Sequence, residues 1–308
     1  MVREDKDVMS GRHVVWRAAD ARPVTPAGPW RDAVGFSRWA AVDETSPGAV
    51  HTGFDLCELA PGGTVPACVA AYEQSVYQLE GEVVLQTIEG ATRLRPGDYG
   101  LVPVGVPHAW RNESGAPARW AQMLAPQRRL RHDDDTVPVP ALPETEPVPV
   151  DPRDPRARRY GHIAPGNMEV GKQTQEQLAV SASMRTALLV YSGITVKMMV
   201  DSDLGANLTT MFMVQYDPAG VAGPHDHPFE ETYLFLAGQA EATFDGTSYE
   251  LGPGDLAFAG VGCVHSFRNL AGGPLRWLET QAPQPPARHS YRFRRDWDYL
   301  TSTLEGDR

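Results

Sequence analysis

Two histidines one residue apart, a carboxylate four positions further on and a glycine seven beyond it make up the segment His225-Asp226-His227-Pro228-Phe229-Glu230-Glu231-Thr232-Tyr233-Leu234-Phe235-Leu236-Ala237-Gly238. Alternate side chains of an extended strand share a face, so an H-x-H on a strand aims both imidazoles at one point. Glu231 can approach that point from the next strand. A second segment, Gly254-x5-Gly260-x-Gly262-x2-His265-x3-Asn269, offers one more histidine between glycine turns. Three neutral imidazoles and one carboxylate suit Mn, Fe, Ni, Cu, Co or Zn, and four protein ligands leave up to two positions of an octahedron for water or substrate. An open shell of this kind points to catalysis more than to a structural metal.

The elements that must position these residues are legible because the chain repeats itself. Residues 52–127 align without a gap onto 209–284. Gly81 matches Gly238 (238 − 81 = 157), Leu94-Arg95-Pro96-Gly97-Asp98 matches Leu251-Gly252-Pro253-Gly254-Asp255, His108 matches His265, and Ala125-Pro126-Gln127 matches Ala282-Pro283-Gln284. A duplicated domain is the simplest account. Within each copy, short runs rich in Val, Leu, Tyr, Phe and Thr alternate with Gly, Pro and Asp turn signals, the pattern of strands. Asp245-Gly246 between two such runs is a hairpin signal, because both turn residues need φ > 0. Each copy is therefore expected to be an antiparallel barrel or jelly roll, giving an all-β chain. The expected divisions are an N-terminal arm at 1–50, a first barrel at 51–127, a proline-rich linker at 128–160, a second barrel at 161–285 and a tail at 286–308. Trp16, Trp30 and Trp39 in the arm are expected to pack on a barrel or on a second subunit.

Composition sets the outer limits. The chain has 308 residues, 42% of them hydrophobic and 22% charged, which is ordinary for a globular protein with room for two domains. Its formal charge of -11 disfavours nucleic acid, which is held chiefly by clustered Lys and Arg. The basic clusters Arg128-Arg129-Leu130-Arg131, Arg156-Ala157-Arg158-Arg159 and Arg292-Phe293-Arg294-Arg295 read as solvated flanks. No apolar span or secretory h-region is visible, and Cys57, Cys68 and Cys263 fit a reducing compartment, so the cytoplasm is expected, with neither membrane nor nucleic acid as partner.

His225-x-His227-x3-Glu231-x6-Gly238 resembles the first motif of the cupin superfamily, and the Gly254 to Asn269 segment resembles the second, with glycine where the family usually has proline. The resemblance spans nearly all of both copies. It implies two tandem cupin barrels, a bicupin, with one divalent transition metal per chain (Mn, Fe, Ni, Cu or Zn) held in the second barrel by His225, His227, Glu231 and His265. At the equivalent positions of the first barrel stand Cys68, Ala70 and Gln74, while His108 is kept. That set suits a hard divalent ion poorly, so the first barrel reads as scaffold, pocket wall or the surface of a homodimer.

Strand alternation nominates the pocket lining. Tyr233 and Phe235 share parity with Glu231, Phe267 shares it with His265, and Met211, Met213 and Gln215 lie on the strand before the H-x-H. A mostly apolar, aromatic and thioether wall suits a small neutral or aromatic substrate that chelates through oxygen. Glu230, beside the expected ligand, is a candidate general base. The resemblance to 3-His-1-carboxylate cupins puts dioxygenase chemistry first. Lyase, isomerase or hydrolase chemistry with the metal as Lewis acid is the alternative, with ureidoglycine aminohydrolases the nearest analogy. A binding or storage bicupin is the third reading, and the intact ligand set stands against it.

Overall fold

A computed structural model of the chain describes residues 11–151, 154, 159–169, 186–189, 193–284 and 292–293. Residues 1–10, most of the tail, and Arg156, Arg158, Arg294 and Arg295 of the basic clusters lie outside the described residues. The repeat appears as two barrels of antiparallel strands. In the second copy a seven-stranded sheet runs in the order His13–Trp16, Leu256–Ala259, Glu230–Ala237, Leu275–Ala282, Thr210–Tyr216, Ile194–Val200, Thr186–Leu189. A five-stranded sheet faces it in the order Thr247–Leu251, Ala240–Phe244, His265–Asn269, Val221–Asp226, Arg292–Phe293. The first copy is one curled sheet built on the long strand Gly53–Ala70.

Among the described residues the three largest apolar clusters hold this arrangement. One fills the first barrel around Trp120, Trp110, Leu85 and Val76. Another fills the second around Phe212, Val214, Tyr233, Phe235, Phe267 and Trp277. The third lies between the barrels, where Phe54, Ala121 and Met123 meet Met211, Met213, Leu234 and Leu278. Thr210–Tyr216 is consequently buried on both faces, one turned into its own barrel and the other against the neighbour. A strand covered on both sides carries a continuous apolar run in place of alternation.

Two carboxylates related by the repeat lock the barrels reciprocally. Glu230 accepts hydrogen bonds from the backbone N–H of Val50 (2.7 Å), His51 (3.0 Å) and Thr52 (2.8 Å), at the start of the Gly53–Ala70 strand. Glu73, its counterpart, accepts from Asn207 (2.8 Å), Leu208 (3.2 Å) and Thr209 (2.9 Å) at the start of Thr210–Tyr216. Each half thus satisfies three backbone donors at the entry to the other, a charge-assisted arrangement in a buried setting. The motif glycines and asparagines are also structural. Gly238 has φ 77°, and a Cβ there would lie 2.7 Å from Leu275 Cα and Pro274 O. Asn269 ties a loop by donating to the carbonyls of Asp217 (3.0 Å) and Gly273 (2.9 Å).

The flanking segments are more integrated than their composition suggests. His13–Trp16 adds an edge strand to Leu256–Ala259 of the second barrel, while Val34–Val42 pairs with Gly53–Ala70 of the first. Trp16, Trp30 and Trp39 all pack on the chain's own cores. The proline-rich stretch, expected as a linker, pairs with the first barrel at three places. Thr136–Pro138 joins Cys68 to Ala70, Val148–Pro149 joins Thr92 and Arg93, and Tyr160–His162 joins Asp98 to Gly100. Non-proline residues between the prolines, such as Val139 (N–H to Ala67 O, 2.9 Å), supply the donors. Arg128, expected in a solvated flank, is 1% exposed and ion-paired with Asp55 inside the first barrel. Asp134 of the acidic run is likewise buried, held by Arg38 and by Trp30 Nε1 (3.0 Å). Among the described residues no helix is long and apolar enough to cross a membrane.

Candidate metal centre

The second barrel brings His225, His227, Glu231 and His265 to one place. His225 lies on Val221–Asp226 directly opposite His265 on His265–Asn269, and Glu231 is on Glu230–Ala237 in the facing sheet. The ligating atoms of the three histidines lie within 4.8 Å of one another. Glu231 completes the group, its Oε1 3.5 Å from His227 Nε2 and its Oε2 3.3 Å from His265 Nε2. His227, Glu231 and His265 are almost fully buried, whereas His225 is only partly buried.

The donor chemistry fits a divalent transition metal. His225 Nδ1 bonds the carbonyl of Gly223 (2.7 Å) and His265 Nδ1 that of Cys263 (3.0 Å), which assigns the ring proton to Nδ1 and leaves the Nε2 lone pair for a cation. Burial, with His225 and His227 adding to it, holds His265 well below its ordinary value, so the ring is neutral and ready to ligate. Glu231 is oriented by Gln281 Nε2 at Oε1 (2.8 Å) and by the Tyr233 hydroxyl at Oε2 (2.5 Å). Burial pushes the Glu231 carboxyl up to about 7 and its neighbour Glu279 well above the carboxylate range, where the charge of Glu231 adds to the effect. A buried pair of this kind lacks positive charge, which a bound cation would supply.

The pocket residues divide by parity. Tyr233 points inward, its hydroxyl 3.1 Å from His265 Nε2 as well as on Glu231. Phe267 follows, with its ring 4.9 Å from that of Tyr233. Phe235 lies in the core against Trp277 (5.5 Å). Met211, Met213 and Gln215 do not line the pocket, contrary to the sequence expectation: the methionines belong to the cluster between the barrels, and Gln215 bonds Met168 O and Arg276. The inward residues of that strand are Phe212, Val214 and Tyr216. Glu230 is also corrected, since its carboxylate is spent on the backbone of Val50 to Thr52 and adjacent residues of a strand face opposite ways. Cys263 is buried, its thiol pushed up to about 12, and its contribution to the site is the carbonyl that orients His265.

Sequence reading missed Glu279, Gln281 and Phe229. Glu279 stands opposite Tyr233 and accepts from Trp277 Nε1 (2.9 Å), Gln281 stands opposite Glu231, and Phe229 stacks on His227 (4.7 Å). The repeat held a signal for two of them. Where the second copy has Tyr233, Glu279 and Gln281, the first has Val76, Gln122 and Leu124. In the first barrel the Gln74 amide donates to His108 Nε2 (3.0 Å), Cys68 Sγ is 3.8 Å from the same atom, and burial pushes that thiol up to about 12. The amide therefore occupies the lone pair a metal would use.

His108 carries a pH signature. Burial holds its imidazole below 6.5, against a smaller upward pull from the Val106 carbonyl. The unfolded chain then binds the extra proton, so this contribution to stability is complete above the unfolded value and is lost as pH falls through it. The stability of metal-free wild type relative to His108→Gln is expected to shrink between about pH 7 and about pH 5. The comparison cancels Glu231, whose raised carboxyl acts with the opposite sign. Urea unfolding at several pH values measures it, and a constant difference would contradict the assignment.

The family described as the cupin domain matches residues 55–124 and 212–280, once in each barrel. Dimethylsulfoniopropionate lyase DddQ of Ruegeria pomeroyi is 47% identical over 57 residues, which span 18% of this chain and 28% of that protein. Among solved structures, salicylate 1,2-dioxygenase of Pseudaminobacter salicylatoxidans superposes with a TM-score of 0.66 at 14% identity, covering 88% of this chain and 84% of that one. An oxalate decarboxylase of Lactobacillus farciminis gives 0.63 at 14% identity, covering 95% and 92%. At such identities the structures speak for the fold, and that fold is two cupin barrels in tandem. The chain is a bicupin, a two-domain member of the cupin superfamily.

Proposed function

We propose that this bicupin is a metal-dependent lyase for a small onium carboxylate of the dimethylsulfoniopropionate kind, with His225, His227, Glu231 and His265 as the ligands of one divalent metal. The observation that carries the reading is the Tyr233 hydroxyl, buried within the ligand cluster, donating to Glu231 Oε2 and lying 3.1 Å from His265 Nε2. Proton abstraction needs a group of this type beside the site where a substrate is held. His225, His227, Glu231 and His265 would hold a divalent metal, which would supply Lewis acidity toward the substrate carboxylate.

The residues supply the rest. Tyr233 Oη is placed to take the substrate proton, with Glu231 Oε2 as acceptor for its own hydroxyl hydrogen. The C–H electron pair becomes the new double bond, and the pair of the bond to the onium centre leaves with the leaving group, so no oxidant is consumed. The inward wall is aromatic and acidic. Phe229, Tyr233, Phe244 and Phe267 surround the histidines with Glu231 and Glu279, and none of these residues is cationic. Aromatic faces and carboxylates receive an onium group by cation–π and Coulomb attraction. The sequence likeness to a curated lyase supports the same reading. The dioxygenase expectation rests on the resemblance to 3-His-1-carboxylate cupins, a solved dioxygenase shares the fold at 14% identity, and among the described residues no group beside the histidines specifically favours it. Three free, buried cysteines support a cytoplasmic setting.

Incubating the metal-containing protein with dimethylsulfoniopropionate and following release of the volatile sulfide by gas chromatography tests the proposal. Release without oxygen uptake is expected. Absence of release from any onium carboxylate, together with oxygen uptake on phenols or diketones, would restore the dioxygenase reading.

A further inference from the structure

We propose that the seam between the two barrels holds a second binding site, for a short-chain monocarboxylate, built on Arg276 and Tyr77. A cavity of about 160 Å³ opens there, with Tyr77 from the first barrel and Arg276 from the second among its walls. Leu79, Met168, Met213 and Leu236 make the remainder apolar. The position is separate from the histidine cluster: Arg276 faces the seam, whereas the next residue, Trp277, packs in the apolar core of the second barrel.

The internal repeat shows what is missing. In the first barrel the equivalent arginine, Arg119, sits between two carboxylates, with Glu80 Oε1 2.8 Å and Glu58 Oε2 3.9 Å away. At the corresponding positions of the second barrel stand Ala237 and Gln215. Both counter-charges have been removed while the guanidinium is retained. Among the described residues the hydrogen bonds of Arg276 go to Gln215 Oε1 alone, from Nε (3.1 Å) and Nη2 (2.6 Å). Gln215 is fixed in turn by its amide donating to Met168 O (3.3 Å). Among the described residues one neutral oxygen is all that meets the guanidinium, no carboxylate pairs with it, and Nη1 makes no hydrogen bond. Burial disfavours the charged guanidinium and pushes Arg276 down. Tyr77, raised to about 12 chiefly by burial, remains a protonated donor in the same cavity.

A guanidinium fork and a phenol call for an anionic oxygen pair. The apolar wall calls for a short hydrocarbon chain behind it. At about 30 Å³ for each water, the cavity has room for about five waters, or a ligand of about five to seven non-hydrogen atoms. Propionate and butyrate have that size and polarity.

Isothermal titration of sodium butyrate into the protein as purified, at fixed ionic strength, provides the test. One saturable site per chain is expected. Arg276→Gln should weaken binding about tenfold or more and Tyr77→Phe by a smaller factor, in line with the loss of charged and neutral hydrogen bonds. His227→Ala, which disables the metal centre, should leave butyrate affinity unchanged. No saturable binding in wild type, equal affinity in Arg276→Gln and Tyr77→Phe, or binding lost in His227→Ala would each overturn the proposal, the last by placing the carboxylate on the metal. None of these outcomes bears on the lyase reading, which the sulfide assay decides separately.

Discussion

His227→Ala is expected to abolish stoichiometric metal binding, and catalysis with it, while both barrels stay folded. The side chain is one of four donors in the cluster, buried with its Nε2 3.5 Å from Glu231. Loss of a residue that merely orients a ligand costs about ten- to a hundredfold in metal affinity, and loss of a ligand should cost at least the upper end of that range. The imidazole stacks on Phe229 but is not part of the apolar cluster that fills the barrel. The fold should therefore retain its strand signature in circular dichroism, with a modest fall in unfolding midpoint. Metal analysis after dialysis reads the effect. Wild-type metal content in the variant would remove His227 from the ligand set.

Tyr233→Phe has the second large effect, and it separates binding from chemistry. The substitution removes one oxygen and leaves the ring that packs against Phe267 and Trp277. Metal content should stay close to that of wild type because the three histidines and Glu231 remain. Turnover should fall by about 10² to 10⁴, the contribution typical of a positioned acid or base. A fall in kcat with little change in KM is the expected form, since the hydroxyl acts on the proton in flight more than on the bound carboxylate. An unchanged kcat would assign the hydroxyl to orienting Glu231 and leave another group to take the proton.

The two barrels and the grouping of the candidate metal ligands were legible in the sequence for specific physical reasons. A gapless repeat and the spacing of His225, His227, Glu231 and His265 both survive without any knowledge of packing. Pocket lining did not survive so well. Sequence places Met211, Met213 and Gln215 in the pocket, whereas Phe212, Val214 and Tyr216 face inward; Thr210–Tyr216 is buried on both faces, which erases the alternation that would reveal parity. Glu230 reads as a base beside a metal ligand only until its partners are seen, and those partners lie about 180 residues earlier, at Val50 to Thr52. The most informative signal was the difference between the copies. Tyr233, Glu279 and Gln281 appear where the first barrel has Val76, Gln122 and Leu124, and Arg276 keeps its charge where Glu58 and Glu80 have become Gln215 and Ala237. Segments without periodicity, such as the proline-rich stretch, gave no such handle because their pairing is set by the sheet they lie on.

The central claim is that one metal binds per chain and that it binds in the second barrel. Elemental analysis of the wild-type protein purified without chelator, side by side with His108→Ala, tests it most directly. The account predicts about one transition-metal ion per chain in both proteins, because the Gln74 amide already occupies His108 Nε2 in the first barrel. About two ions per chain in wild type, falling to about one in His108→Ala, would contradict it and make the Cys68 and His108 pair a second metal site.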